Sequence, residues 1–221
     1  LLGYLPQDFR FFSALRTWEF LDYSGALAGM KNKKERLAEV DRLLDQVGLL
    51  EVRDRQANKL SGGMKRRLGI AQALIGNPRI IVVDEPTTGL DPDERIRFRN
   101  ILSQLSQNDV TIILSTHIVG DISSTCQSMA LLNRGELVFS GPPAELIEIA
   151  RGHVFRLMLS QDQYDSVKLN YNVISTIPVE NGWEVQVVAD EAPPFSPEAV
   201  NPDIEHAYVY FMEHRLRADI I

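Results

Sequence analysis

The sequence predicts an α/β fold in which helices flank a parallel β-sheet. Two short apolar runs, residues 80–83 and 110–114, lack polar alternation, which is typical of strands covered on both faces. A stretch of helical periodicity lies between them, so the three segments are predicted to form a parallel βαβ unit. Polar residues follow each strand, at the edge where α/β sheets place their ligands.

The segment 60–92, LSGGMKRRLGIAQALIGNPRIIVVDEPTTGLDP, holds the strongest local signals of the chain. Ser61, Gly62 and Gly63 are predicted to open a helix whose apolar residues recur on one face. Gly76-Asn77-Pro78 is predicted to end it, because glycine tolerates the left-handed conformation and proline cannot continue a helix.

Charged side chains collect just beyond the two predicted strands. Asp84 and Glu85 end the first strand, and His117 follows the second. A histidine that emerges at the same sheet edge as two acids is a candidate site residue. Asp91-Pro92 is predicted to start a further helix, with aspartate as the N-cap and proline at the first helical position.

These residues resemble the motifs of an ATP-binding-cassette (ABC) ATPase. LSGGM stands where that family usually has LSGGQ, IIVVDE resembles the Walker B strand, GLDP the D-loop, and LGYLPQ at residues 2–7 the Q-loop. The order and close spacing of the motifs carry the resemblance. It implies a P-loop NTPase-like parallel sheet with an inserted α-helical subdomain, and a small α+β extension at the C-terminus.

The resemblance also implies a site for ATP and Mg²⁺. It makes Asp84 a metal ligand, Glu85 the group that orients or deprotonates the attacking water, and His117 the histidine that contacts the γ-phosphate. Gln7, at the Q-loop position, would reach both the metal and the attacking water. Such a set suits phosphoryl transfer, which depends on positioning and charge neutralisation.

A second group of residues is implied to serve the nucleotide of a partner subunit. Ser61 and the amides of Gly62 and Gly63 form a helix N-terminus, which is suited to bind an anion. In the resembled family this end faces the γ-phosphate held by a second ATPase subunit in a head-to-tail dimer, and Asp91 orders that interface. The alternative for Ser61 is an ordinary N-cap beside flexible glycines.

One expected motif is absent from the sequence. No G-x-x-x-x-G-K-[ST] occurs, which is the loop that cradles the β- and γ-phosphates. In the resembled family this loop precedes the Q-loop, so we expect the chain to be the C-terminal portion of an ABC ATPase. We further expect the chain alone to bind MgATP poorly, and a face or edge of its sheet to be uncovered.

Four segments are predicted: a strand end and Q-loop at 1–8, an α-helical subdomain with the signature motif at 9–76, an ATPase core at 77–150 and a C-terminal extension at 151–221. In the second segment Thr17 is predicted to cap a helix, and Phe9, Phe11, Phe12, Trp18 and Phe20 are expected to be core residues or to line a groove for a membrane partner. The third segment includes a helix with a buried side marked by Ile96, Leu102 and Leu105. Asn181-Gly182 predicts a hairpin in the fourth.

Composition limits the possible functions. The net charge of −7 argues against a nucleic-acid-binding body, and the single cysteine, Cys126, excludes an internal disulfide. No apolar run approaches the ~18 residues of a membrane span, so a membrane role requires a partner. The resemblance implies a transporter subunit that lies on the inner face of the cell membrane, bound to a transmembrane permease. Export is favoured by the C-terminal pattern.

Two alternatives stay open at this point. A soluble ABC ATPase acting on ribosomes or nucleic acid would share the motifs, although the interval from Gln7 to Ser61 is too short for the long coiled coil of some such proteins. A non-catalytic dimerisation fragment would also explain the absent phosphate loop.

Overall fold

The computed structural model describes residues 2–9, 12, 14–107 and 109–215, apart from the side chains of residues 124, 214 and 215. The chain forms two compact units, unit 1 at residues 1–117 and unit 2 at residues 118–221. No helix among the described residues is long and apolar enough to cross a membrane.

Unit 1 contains a three-stranded parallel sheet in the order β1-β2-β3. Its strands are β1 (Leu2–Leu5), β2 (Ile80–Asp84) and β3 (Thr111–Ser115). The parallel pairing of β2 with β3 confirms the predicted βαβ unit. The central strand ends in Asp84, so both neighbours help to position the residues that follow it.

Four helices complete unit 1. They are α1 (Thr17–Leu27), α2 (Lys33–Gln46), α3 (Gly62–Leu74) and α4 (Pro92–Ser106), with short 3-10 turns at Leu50–Val52 and Ala57–Lys59. The helices and one face of the sheet share a single hydrophobic core. The helix predicted after Ser61 is α3, and the helix predicted after Asp91 is α4.

The two faces of the sheet differ in burial. Ile81 and Val83 are fully buried in the core, whereas Ile80 is 42% exposed, so the expectation that this strand is covered on both faces is wrong. Tyr4 and Ile113 are also exposed on the face that carries Ile80. The described helices of unit 1 share a core with only one face, and the expected uncovered face is present.

Helix α3 packs against β1 through two glycines. A Cβ on Gly3 would meet the carbonyl oxygen of Ala73, and a Cβ on Gly69 would meet Leu5 and the ring of Phe9. Glycine in the middle of a helix or strand costs stability, and here it permits a close backbone approach. Helix α3 is thereby held close to β1, the strand that leads to Gln7.

Two details of unit 1 differ from the sequence-based predictions. Arg16 rather than Thr17 is the N-cap of α1, because the Arg16 amide donates to Glu19 while the Thr17 hydroxyl donates to the carbonyl of Arg55. Ile96 is exposed, and Phe98 is buried on α4 in its place.

The aromatic residues that were expected to be core residues or to line a groove differ in burial. Phe20 is buried, Phe9 and Trp18 pack against the core and Phe12 is exposed. Phe11 lies outside the described residues.

Unit 2 begins with α5 (Val119–Thr125), a hairpin of β4 (Met129–Asn133) and β5 (Glu136–Gly141), and α6 (Pro143–Ile149). An antiparallel sheet follows in the order β7-β8-β6-β9. Its elements are β6 (Val154–Leu159), α7 (Gln161–Asn170), β7 (Asn172–Val179), β8 (Gly182–Val188), β9 (Glu198–Ala199) and α8 (Ile204–Tyr210), and a π-helical turn covers Phe211–Arg215. The hairpin predicted at Asn181-Gly182 is the β7–β8 connection.

Candidate functional site

The site in unit 1 lies at the carboxyl ends of β2 and β3. Asp84 is the last residue of β2 and pairs in register with Ser115 at the end of β3. The Ser115 hydroxyl donates a short hydrogen bond to Asp84 Oδ1. This bond fixes the carboxylate and leaves its second oxygen for another ligand, because a carboxylate has about four lone-pair sites.

Glu85 continues the chain in an unusual backbone conformation. Its φ is 46°, a left-handed region that L-residues other than asparagine and aspartate seldom adopt. The turn is fixed by the Glu85 amide, which donates to the carbonyl of Ser115 over 3.0 Å. The reversal directs a glutamate away from the strand, and non-glycine residues held in this region cluster at functional sites.

The Glu85 carboxylate meets His117 as the sequence predicts. His117 Nδ1 lies 2.7 Å from Glu85 Oε2, and the hydroxyl of Thr88 donates to the same oxygen over 3.1 Å. The side chain of Glu85 is 18% exposed, whereas that of His117 is 66% exposed. The glutamate is therefore held from two sides, and the imidazole is open to a ligand.

Gln7 is joined to these residues through the backbone. The Gln7 carbonyl accepts a 2.6 Å hydrogen bond from Nη1 of Arg66, and the same guanidinium bonds to the carbonyl of Glu85. The side chain of Gln7 is exposed. Asp84, Glu85, His117 and Gln7 are called the carboxylate cluster below.

Arg66 is the residue that ties the carboxylate cluster together. Its nitrogens donate to the backbone carbonyls of Pro6, Gln7, Asp84, Glu85 and Pro86. Burial lowers the pKa of Arg66, and the carboxylates of Asp84, Asp8 and Glu85 act in the opposite direction. Arginine keeps its charge despite this burial because its ordinary pKa is above 12.

The remaining predicted site residues lie at the N-terminal ends of α3 and α4. The Ser61 hydroxyl accepts from the amide of Met64 over 3.2 Å, and Asp91 Oδ1 accepts from the amide of Glu94 over 2.9 Å. Both residues have the geometry of N-caps. Ser61 and Gly62 are exposed at this end of α3, which keeps the anion-binding hypothesis open for them, whereas Gly63 is buried against Glu94.

Glu94 connects the two helix ends. Its carboxylate bonds to Arg67, with Nε 3.2 Å from Oε2, and lies against Gly63, where a Cβ would collide with it. Arg67 also donates to the carbonyls of Val47 and Gly48. Ser61, Gly63, Asp91 and Glu94 are called the cap cluster below; Gly62 is adjacent and has open space around it.

The oxygen donors of the carboxylate cluster fit Mg²⁺ when phosphate supplies the remaining ligands. The described residues contain no group of three or more histidine, cysteine or acidic side chains that would bind a metal by themselves. Magnesium in nucleotide sites is held by one or two carboxylates, waters and substrate phosphates. Asp84, with one oxygen already fixed by Ser115, has the chemistry for this role.

Cys126 carries no such chemistry. It is a free, half-buried thiol at the C-terminal end of α5 in unit 2. Burial, assisted by Asp121, raises its pKa, so the thiol stays protonated at neutral pH.

Comparison with known proteins agrees with this geometry. Residues 1–88 match the ABC transporter family. An ABC transporter ATP-binding protein of Synechocystis sp. is 40% identical over 154 residues, which are 69% of this chain and 43% of the relative. A probable multidrug ABC transporter ATP-binding protein of Escherichia coli is 30% identical over 213 residues, which are 94% of this chain and 35% of that protein.

Solved structures show the same fold. The cbiO1 protein of Clostridium perfringens, part of the ABC transporter complex cbiONQ, has a TM-score of 0.61 and 26% identity; the match covers 76% of this chain and 63% of that one. An inward-facing ABC transporter gives a TM-score of 0.62 at 19% identity, covering 85% and 72%, and supports the fold alone.

Unit 1 thus has the ATPase fold of ABC transporters, with its motif residues at the strand ends. Its residues 1–88 match the ABC transporter family, and the curated relatives named above are ABC transporter ATP-binding proteins. It spans about half the length of the curated relatives it matches.

Sequence reasoning missed the supporting residues Arg66, Arg67 and Glu94. From sequence alone, the basic run Lys65-Arg66-Arg67 is predicted to be a solvated or packing face, and its two arginines do pack, at 8% and 5% exposure. The available signal was their position: two long cations within the first turns of a helix that is otherwise small and apolar need buried acceptors.

Proposed function

We propose that this chain belongs to the ATP-hydrolysing subunit of an ABC exporter. The observation that carries the proposal is the meeting of Asp84, Glu85 and His117 at the ends of two paired parallel strands. The two curated relatives named above are ATP-binding proteins of ABC transporters, which favours a transporter over a ribosomal or nucleic-acid role.

Glu85 is proposed to act as the general base. A water aligned with the γ-phosphate would transfer its proton to the Glu85 carboxylate as its oxygen attacks the γ-phosphorus; the bond from that phosphorus to the oxygen of the β-phosphate would break, which releases ADP and phosphate. The contacts with His117 and Thr88 hold that carboxylate in one orientation, which limits the entropy lost at the moment of reaction. The exposed His117 ring would donate a hydrogen bond to the γ-phosphate.

Asp84 and the Gln7 side chain would hold Mg²⁺. The ion, when bound, would neutralise charge on the transferring phosphate. Asp84 is oriented for this by the Ser115 hydroxyl, and the Gln7 carbonyl shares the Arg66 guanidinium with the carbonyl of Glu85.

Ser61, Gly62 and Gly63 are proposed to contact the nucleotide of a second ATPase subunit in a head-to-tail dimer, with Asp91 at the interface. The exposure of Ser61 and Gly62 at the start of α3 supports this. The open space around Gly62 would let a phosphate approach the backbone closely.

The experiment is to measure ATP hydrolysis by a transporter assembled from the complete ATPase subunit and its permease. Glu85→Gln is expected to lower the rate by a factor of about 10²–10⁴, because a general base is lost. The 221-residue chain alone, which contains no G-x-x-x-x-G-K-[ST] sequence, is expected to show no more hydrolysis than its own Glu85→Gln variant. Unchanged hydrolysis by the Glu85→Gln transporter would disprove the proposal.

We propose that the permease, at the inner face of the membrane, binds an exposed apolar patch formed by α1 and by Phe12, which precedes that helix. Phe12 packs edge-on against Tyr23 with 5.6 Å between ring centroids, and Leu27 lies one turn further along the helix. All three side chains are exposed, with Leu27 at 72%. Exposed apolar patches of this kind are typical of interaction sites.

Substitution of this patch tests the contact. Leu27→Asp is expected to reduce the amount of permease that co-purifies with the subunit by about tenfold, since a charge in an apolar interface must be desolvated. Leu169→Asp is the matched control, because Leu169 is also an exposed leucine, at 85%, but lies in unit 2. Equal retention of permease by both variants would place the contact elsewhere.

A further inference from the structure

The pairing of β1 with β2 ends one step before the functional residues. Its last register pair is Leu5 with Val83, and β1 gives way to Pro6, which has no amide proton to continue the ladder. Gln7 and Glu85 both lie beyond this pair. A separate interaction must therefore set the distance between the segment that carries Gln7 and the segment that carries Glu85.

Arg66 supplies that interaction. Nη1 donates to the carbonyls of Pro6 and Gln7, while Nη2 donates to those of Asp84 and Glu85. Each terminal nitrogen serves one or the other segment, so the rigid plane of the guanidinium fixes the spacing between them. Lysine could not do the same, because its donors share a single nitrogen.

We propose that Arg66 is a positioning residue that sets the spacing between the Gln7 segment and the Glu85 segment. This rests on the proposed function, in which Gln7 and Glu85 act on one nucleotide. Arg66 bonds only to backbone carbonyls of these segments, so it acts through Gln7 and Glu85. A change at Arg66 therefore shifts the backbone positions of Gln7 and Glu85 and leaves the chemical groups of their side chains unchanged.

Arg67 provides a matched control within the same helix. It is as buried as Arg66, and it bonds to Glu94 and to the carbonyls of Val47 and Gly48. Its bonds therefore lie in the cap cluster and at the end of α2. A loss of stability caused by removing any buried arginine should appear in both variants. A change in the spacing between the Gln7 segment and the Glu85 segment should appear only in the Arg66 variant.

The test uses nuclear magnetic resonance on the 221-residue chain without nucleotide, comparing Arg66→Lys with Arg67→Lys. The first readout is amide exchange of Glu85, whose amide is bonded to the carbonyl of Ser115. Arg66→Lys is expected to speed this exchange by about tenfold and Arg67→Lys by less than about twofold. The second readout is the side-chain ¹⁵N signals of His117, which are expected to move only in Arg66→Lys.

Chemical rescue separates positioning from general stability. In Arg66→Ala, millimolar methylguanidinium is expected to restore slow exchange at Glu85 and the original His117 signals, because it refills the site of the lost guanidinium. Wild-type exchange at Glu85 in Arg66→Lys would overturn the proposal. So would equal changes in Arg67→Lys, or loss of the folded state in both Arg66 variants while Arg67→Lys stays folded.

The two proposals fail separately, because none of these measurements contains ATP. Unchanged hydrolysis in the Glu85→Gln transporter would remove the proposed function and leave the Arg66 spacing in place. Loss of hydrolysis in Glu85→Gln together with undisturbed exchange in Arg66→Lys would remove only the positioning role.

Discussion

The carboxylate cluster and the cap cluster each depend on one of two adjacent arginines of α3, but the two arginines hold them differently. Arg66 bonds only to backbone carbonyls around the carboxylate cluster. Arg67 pairs with a side chain of the cap cluster, the carboxylate of Glu94. The first arrangement leaves Asp84 and Glu85 available for ligands, whereas the second uses its acid for support.

This difference matches the different roles of the acids in the two clusters. A carboxylate neutralised by an arginine would be a poorer base or metal ligand, so a site that needs both acids is better supported through carbonyls. A helix junction has no such need, and a half-buried ion pair can stabilise it. Substitutions that affect the two clusters unequally therefore test the comparison.

The largest effect is expected from Arg67→Ala. It leaves Glu94 half-buried without its cation and two carbonyls without a donor, and removing one partner of a buried pair costs about 3–5 kcal/mol. Urea unfolding of the 221-residue chain measures this. Arg42→Ala is the control, because the Arg42 side chain is 55% exposed while that of Arg67 is 6% exposed, and ion pairs at the surface contribute about 0–1 kcal/mol. Equal losses would show that Arg67 has no special supporting role.

Much of the cap cluster could be predicted from sequence because its signals are local. Ser61 and Asp91 are N-caps whose partners, Met64 and Glu94, lie three residues further along the chain. The hairpin at Asn181-Gly182 was found for the same reason. In unit 2, α7 was missed because its apolar periodicity is weak, although Ser160 and Gln163 form a capping box at its start.

The support of the carboxylate cluster could not be predicted. The motifs identify Asp84, Glu85 and His117, but the acceptors of Arg66 come from Pro6 and Pro86, which are distant from it in sequence. A backbone carbonyl is also the same in every residue, so no side-chain pattern marks it as an acceptor. The exposed face of the sheet could not be predicted either. Ile80 and Ile81 are the same residue type, and only packing in the folded protein makes one exposed and the other buried.

A smaller effect is expected from substitutions of the two glycines at the start of α3, which test how the cap cluster is packed. Gly63→Ala is expected to cost about 1–3 kcal/mol, because its Cβ would displace Glu94 from Arg67. Gly62→Ala meets open space and is expected to gain up to about 1 kcal/mol from helix propensity. Thermal unfolding of both variants measures the difference.

The Gly62 variant also separates the two interpretations of the helix end. If a stable Gly62→Ala transporter loses ATP hydrolysis, the glycine serves the approach of a ligand, as proposed for the partner's phosphate. Full hydrolysis would instead leave Ser61 as an ordinary N-cap. A Gly63→Ala chain as stable as Gly62→Ala would contradict the packing role assigned to Glu94.

The smallest effect concerns the backbone of Glu85. Its φ of 46° is strained for an L-residue, and glycine avoids the strain, so Glu85→Gly is expected to be about 1 kcal/mol more stable than Glu85→Ala in urea unfolding. Both variants lose the contacts with His117 and Thr88, so the comparison isolates the backbone. The carboxylate cluster would then keep a catalytic glutamate at a cost in local stability, whereas the residues of the cap cluster add to stability. Equal stability of the two variants would show that the Glu85 turn carries no strain and that the contrast between the clusters lies in their arginines alone.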